Sequence, residues 1–128
     1  MQFFTIASLA STALAVAFEK RGPTHNGVAT YYLQGGVAGS CGEYHGDNDL
    51  IVAIAQSGNA LCGQTVTITN SGGGEGNNGV GTTITAKVVD TCPGCDADHL
   101  DLSVGAFKGL TGGALDPPGK FNIQWHLN

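Results

Sequence analysis

Apolar residues along this 128-residue chain recur mainly at every second position, in short runs broken by glycine-rich stretches. Gly27-Val28-Ala29-Thr30-Tyr31-Tyr32 reads as a first strand with an aromatic end. A glycine-rich loop from Gly35 to Gly46 follows. Leu50-Ile51-Val52-Ala53-Ile54-Ala55 is continuously apolar and fits either a buried strand or one short helix, since periodicity does not separate the two. Ser57-Gly58-Asn59 ends it. Thr65 to Asn70 alternates threonine with Val66 and Ile68, the pattern of a half-buried strand. Ser71 to Gly81 reads as a long mobile hairpin loop.

A β-branched run from Thr82 then ends on Asp90, and Cys92-Pro93-Gly94-Cys95 makes a turn. Asp101 stands between Leu100 and Leu102, so alternation points it away from them. Ser103 predicts an N-cap for a short helix reaching Lys108 to Leu110, closed by Gly112-Gly113. In the last strand, Phe121, Ile123, Trp125 and Leu127 share one face. Five or six short strands with one helix favour a small closed β-barrel, because closure removes exposed edges. Two carboxylates at neighbouring strand ends, Asp90 and Asp101, suggest a polar groove; the alternative is that they cap turns.

The first residues fall outside this pattern. Residues 1–17 have the apolar run and Ala-x-Ala ending of a signal peptide, and Lys20-Arg21 predicts a dibasic cleavage that removes 18–21 as a short propeptide. Residues 22–128 are then one domain, expected to be secreted. In it three lysines face nine acids, leaving a net charge of −6. That balance disfavours nucleic acid and anionic membrane and suits a neutral or basic ligand. The four cysteines, Cys41, Cys62, Cys92 and Cys95, read as two disulfides behind a signal peptide, with three pairings open. A redox role for Cys92-x-x-Cys95 lacks its βαβ context, and a zinc site would need His45 and His99 without a second paired motif. No metal or cofactor is expected. His25 is expected in a frayed N-terminus, and His45 in a solvated loop.

Taken in order, Gly27-Val28-Ala29-Thr30-Tyr31-Tyr32, Gly39-Ser40-Cys41-Gly42, Cys62-Gly63-Gln64, Val88-Val89-Asp90, His99-Leu100-Asp101-Leu102-Ser103 and Phe121-Asn122-Ile123-Gln124-Trp125 resemble the expansin-like double-psi β-barrels. That group takes in barwin-like proteins, rare lipoprotein A relatives and family 45 endoglucanases, and the chain looks most like the single-domain fungal loosenins. The resemblance implies a mainly β, six-stranded double-psi barrel with one short helix and two disulfides, Cys41–Cys62 and Cys92–Cys95. It matches Asp101 to the general acid, Asp90 to the second groove aspartate and Thr30 to the groove threonine. Tyr31, Tyr32, His99 and Trp125 are carried over as substrate-binding. The groove tyrosine of bacterial expansins is replaced by Cys92, and no β-sandwich cellulose domain is expected after the last strand.

The endoglucanases place a catalytic base just after their Thr-x-Tyr; here Leu33 and Gln34 follow Tyr32. Inverting hydrolysis needs an acid and a base about 6.5–9.5 Å apart. The resemblance therefore implies a monomeric, secreted protein that binds and loosens cell-wall polysaccharide, whether cellulose, chitin or chitosan, without hydrolysis. Two alternatives remain: a barwin-like inhibitor of a secreted cysteine protease or effector, using the loops at 35–49 and 71–81, and a lytic transglycosylase acting through Asp90.

Overall fold

The computed structural model describes residues 22–55 and 60–128. The expected signal peptide and dibasic site, and the break at Ser57-Gly58-Asn59, lie outside the described residues. Six strands close into a barrel: β1 (His25–Tyr32), β2 (Ile51–Ile54), β3 (Thr65–Gly72), β4 (Thr83–Thr91), β5 (Leu100–Ser103) and β6 (Phe121–Leu127), in the order β1-β5-β2-β4-β3-β6. β1 runs parallel to β5 and β2 parallel to β4; the other four pairings are antiparallel. One helix, α1 (Val104–Thr111), follows β5 directly. The Ser103 side chain accepts the Ala106 amide at its start, and Gly112, with φ 67°, ends it. Both disulfides of the family pattern are formed, Cys41–Cys62 and Cys92–Cys95.

Alternation fills the interior. Ala29, Val66, Ile68, Ala86, Val88, Leu100, Leu102, Phe121, Ile123 and Trp125 point inward, and α1 adds Ala106, Phe107 and Leu110. Phe107 meets Tyr31 and Phe121 edge-on, with ring centroids at 5.2 and 4.9 Å. The continuous apolar run that left strand and helix open is a strand because β2 is paired on both sides and buried on both faces; all four of its residues are buried.

The structure corrects three expectations. His25 is not frayed but sits in β1, its ring stacked on Trp125 at 4.1 Å and its Nδ1 2.8 Å from Asp98. His45 is tied between Glu43 (3.3 Å) and Asp49 (3.6 Å) rather than free in solvent. The 71–81 segment is pinned rather than loose. Buried Asn70 donates to the Asn78 and Leu110 carbonyls and accepts from the Gly72 amide. Gly79, at φ 78°, lies so close to α1 that a β-carbon there would be 2.2 Å from the Leu110 carbonyl oxygen.

Candidate functional site

Strand register builds the site. Thr30 of β1 pairs with Asp101 of β5, Asp101 with Ala53 of β2, and Ala53 with Asp90 of β4. The four positions form one row across four adjacent strands. Each faces outward, for different local reasons. Thr30 and Asp101 alternate with the inward residues Ala29, Leu100 and Leu102. Asp90 would share the inward parity of Ala86 and Val88. A bulge at the Val52/Ala53 register step leaves Val89 unpaired and turns Asp90 out. Ala53, the smallest side chain in the row, separates the aspartates by two strand spacings, about 9–10 Å between Cα atoms.

Each carboxylate has its own support. The Asp90 Oδ1 accepts the amides of Ser40 and Thr91, both at 2.8 Å. Ser40 reaches it because Gly39 lets the loop press on β4; a β-carbon at Gly39 would lie 2.5 Å from the Val89 carbonyl oxygen. The Thr30 hydroxyl donates to Asp101 Oδ1 at 2.9 Å. It has one proton, so it accepts from His99 Nε2 at 2.7 Å, which sets the histidine tautomer with its proton on Nε2. Asp96 Oδ1 takes the amides of Asp98 and His99 and so shapes the turn that delivers that ring.

Burial pushes the Asp101 carboxyl above the usual carboxylate range, with the Asp90 charge adding to the rise and the Thr30 hydroxyl and His99 opposing it. Tyr32, two residues beyond Thr30 on the same face, has its phenol pushed up to about 12 by burial first and by the charges of Asp90 and Asp101. The Gln34 carboxamide beside that phenol opposes the rise; Tyr32 Oη and Gln34 Nε2 are both buried, and neither makes a well-formed hydrogen bond among the described residues. The result is a half-buried polar row with an acid held toward its protonated form, a second acid fixed by amides, and two buried polar atoms beside them.

The structure brings together Thr30, Tyr32, Asp90, His99 and Asp101. It does not bring in Tyr31 or Trp125. Tyr31 has the inward parity of β1 and packs on Phe107. Trp125 is 2 % exposed, covered by His25, and its indole N–H donates to the Asp98 carbonyl at 2.8 Å. It borders a separate cavity of about 450 Å³ with His25, Ile54, Leu61, Cys95 and Leu127. Asp96 also lines it, and with Ile54 places it beside Ala53 and the His99 turn. Sequence reasoning placed Gly39 and Ser40 in a family motif but gave them no part in the site, because their backbone roles carry no side-chain signal, and it missed the spacer Ala53. Among the described residues no three His, Cys, Asp or Glu side chains form a metal-binding group.

No protein-family model matches the chain. Two relatives from Oryza sativa subsp. japonica do: putative ripening-related protein 5, 45% identical over 62 residues, and putative ripening-related protein 7, 34% identical over 98 residues. The chain spans 20% and 59% of their lengths, and 44% and 71% of this chain is covered. The expansin of Clavibacter michiganensis superposes with a TM-score of 0.66 at 30% identity, over 83% of this chain and 50% of the expansin. The Streptomyces papain inhibitor superposes with a TM-score of 0.65 at 31% identity, over 84% of this chain and 96% of the inhibitor. The chain belongs to the expansin-like double-psi β-barrels. A mutant of the same Clavibacter expansin, solved in complex with cellohexaose, matches equally well, with a TM-score of 0.66 at 29% identity.

Proposed function

We propose that this is a secreted, loosenin-like protein whose Asp90–Asp101 groove binds cell-wall polysaccharide and loosens it without hydrolysis. The observation that carries the reading is the single outward row of Thr30, Asp101, Ala53 and Asp90 beneath the Ser40 loop. A strip of hydrogen-bonding groups on a barrel surface suits a sugar chain, whose hydroxyls both donate and accept. The expansin solved with cellohexaose, to which the chain is similar, supports a glycan ligand.

Asp101, biased toward its protonated form, is suited to donate a proton to a glycosidic oxygen. The position where the endoglucanase resemblance calls for a base holds Gln34, a neutral amide. General acid and base steps are each worth about 10²–10⁴-fold, so an acid without its base leaves net hydrolysis negligible. The expected result is retention on insoluble cellulose or chitin, lost in Asp101→Asn, with no soluble reducing ends formed. Release of reducing sugar at enzyme-like rates would sink the reading, and so would unchanged retention in Asp101→Asn.

A second reading, a cysteine-protease inhibitor, is favoured by the near full-length match to the Streptomyces papain inhibitor. Exposed Leu33, Val37 and Tyr44 on the loop after β1 supply apolar contacts for it. Titration of papain separates the two readings. An inhibitor acts through loops and keeps its potency in Asp101→Ala, whereas the glycan reading predicts no inhibition.

A further inference from the structure

The cavity of about 450 Å³ at the start of β1, the end of β2 and the far end of β6 shares no side chain with the carboxylate row. We propose that it is a second binding site, for a small aromatic molecule that carries a hydrogen-bond donor and no negative charge. Its size falls within the roughly 300–1,000 Å³ of small-molecule sites. Ile54, Leu61 and Leu127 give it aliphatic walls, and His25 and Trp125 give it rings. All of these residues belong to the described part of the chain.

The walls are fixed before a ligand arrives. The His25 ring lies on the indole of Trp125, with centroids 4.1 Å apart and planes within 11° of parallel. Both rings are tied to one residue. His25 Nδ1 donates to Asp98 Oδ1, and the indole N–H donates to the Asp98 carbonyl, each at 2.8 Å. Gly27 lets that turn press on β1; a β-carbon there would lie 1.8 Å from the Asp98 carbonyl oxygen. The Cys92 amide donates to the Ile54 carbonyl at 2.8 Å, which fastens the Cys92–Cys95 turn to β2. The Gly22 amide holds the Leu127 carbonyl at 2.9 Å. A ligand entering this pocket has little to order, and preorganisation of that kind favours binding.

The rings select a flat ligand. Trp125 covers one face of His25, and the imidazole remains 28 % exposed. A planar ring beside it extends the stack. A sugar, with hydroxyls on every side, leaves most of them unpaired against aliphatic walls. The polar groups select the substituent. Asp96 is the only carboxylate lining the cavity, and no lysine or arginine lines it. Its Oδ1 accepts the amides of Asp98 and His99, which leaves Oδ2 to accept from a ligand. With Nδ1 donating to Asp98, neutral His25 keeps Nε2 as a further acceptor. The ligand must therefore bring the donor, a phenolic hydroxyl or an ammonium. A carboxylate would bring no donor and would face Asp96 with like charge.

The test follows the emission of Trp125, the only tryptophan, and the amide NMR spectrum of the whole protein. The probes are 4-ethylphenol, 2-phenylethylamine, 3-phenylpropionate and cellohexaose. The phenol and the amine should each shift the emission and the amides of His25, Ala97 and Leu127, with dissociation constants of about 1 mM or tighter. 3-Phenylpropionate should bind at least about tenfold more weakly, and Asp96→Asn should narrow that gap. Cellohexaose should leave these signals unchanged. Ala97→Phe, or Leu61→Phe on another wall, should weaken the phenol and the amine at least about tenfold with the urea midpoint kept. Asp101→Asn should bind both as the native protein does, so this site stands or falls apart from the glycan reading. No response to any aromatic probe overturns the site, and so does a response that persists in both blocking variants. A carboxylate that binds as tightly as the phenol overturns the ligand class. Joint loss of aromatic and cellohexaose binding in Asp101→Asn would show one site rather than two, and overturns the proposal.

Discussion

Thr30→Val tests the hydrogen-bond chain on which the groove depends. The substitution keeps the β-branched shape, and so the strand, but deletes the hydroxyl that donates to Asp101 Oδ1 at 2.9 Å and accepts from His99 Nε2 at 2.7 Å. A hydrogen bond to an ionised group contributes about 1.5–3 kcal/mol. Asp101 is half-buried, so water replaces part of the loss and the lower figure, about 1.5 kcal/mol, applies. That energy belongs to the carboxylate only. It corresponds to roughly tenfold tighter proton binding by Asp101 in the variant. The sign follows. The donor favours ionised Asp101, so the stability lost is present above the carboxyl's titration range and vanishes below it. Urea unfolding should show the variant's deficit against the native protein larger by about 1.5 kcal/mol at neutral pH than at strongly acidic pH, with the slope unchanged. NMR titration of the Asp101 side-chain carbon should move toward higher pH in step. An unchanged titration would show that the hydroxyl does not support the carboxylate and would break the His99–Thr30–Asp101 chain.

Asp101→Asn removes an acid whose folded-state affinity for its proton is raised by burial. The raised group stabilises the fold below the unfolded carboxylate range and costs stability as pH rises through its folded range. The variant should therefore gain on the native protein between acidic and neutral pH by thermal melting; a native protein that gains more than the variant on that side would contradict it. Gly79→Ala drives a β-carbon against the Leu110 carbonyl at a positive φ and should cost more than about 2 kcal/mol by denaturant unfolding, whereas Gly81→Ala, at φ 91° in open space, should cost about 1–2 kcal/mol from backbone strain alone. Trp125 is the only tryptophan, and it is buried away from the row. Its emission should therefore stay unchanged as glycan saturates the groove, and a large spectral shift on binding would relocate the site.

Most of the barrel was legible because one face of each strand is buried, and burial writes itself as alternation. Thr65 to Asn70 and Phe121 to Leu127 show this most cleanly. The β2 run was ambiguous for the converse reason: with both faces covered it has no polar phase to read. Asp101 was placed correctly by parity between two leucines. Asp90 was chosen from its position at the end of an apolar run, although simple alternation would have turned it inward. The Val89 bulge that rescues it is set by partners in β2, distant in sequence. Tyr31 and Tyr32 are chemically identical neighbours, and only their opposite parity decides that one packs on Phe107 while the other faces the carboxylates. Trp125 was placed on the apolar face of the last strand and carried over as substrate-binding from the resemblance; its inward phase and its bond to the Asp98 carbonyl hold it in the core. The pinning of the 71–81 loop hung on Asn70, an ordinary polar residue until α1 is packed beside it.

The row Thr30–Asp101–Ala53–Asp90 draws its members from four strands spread over seventy residues of chain, and two of its three joints are parallel pairings, which no tight hairpin can make. No fragment holding only one half of the barrel owns a usable half of the cleft. On the proposed glycan reading, recognition is consequently all-or-nothing with respect to folding. A nicked or incompletely closed molecule is then expected to lose ligand at once, and ligand gripping both flanks is expected to resist unfolding from either end.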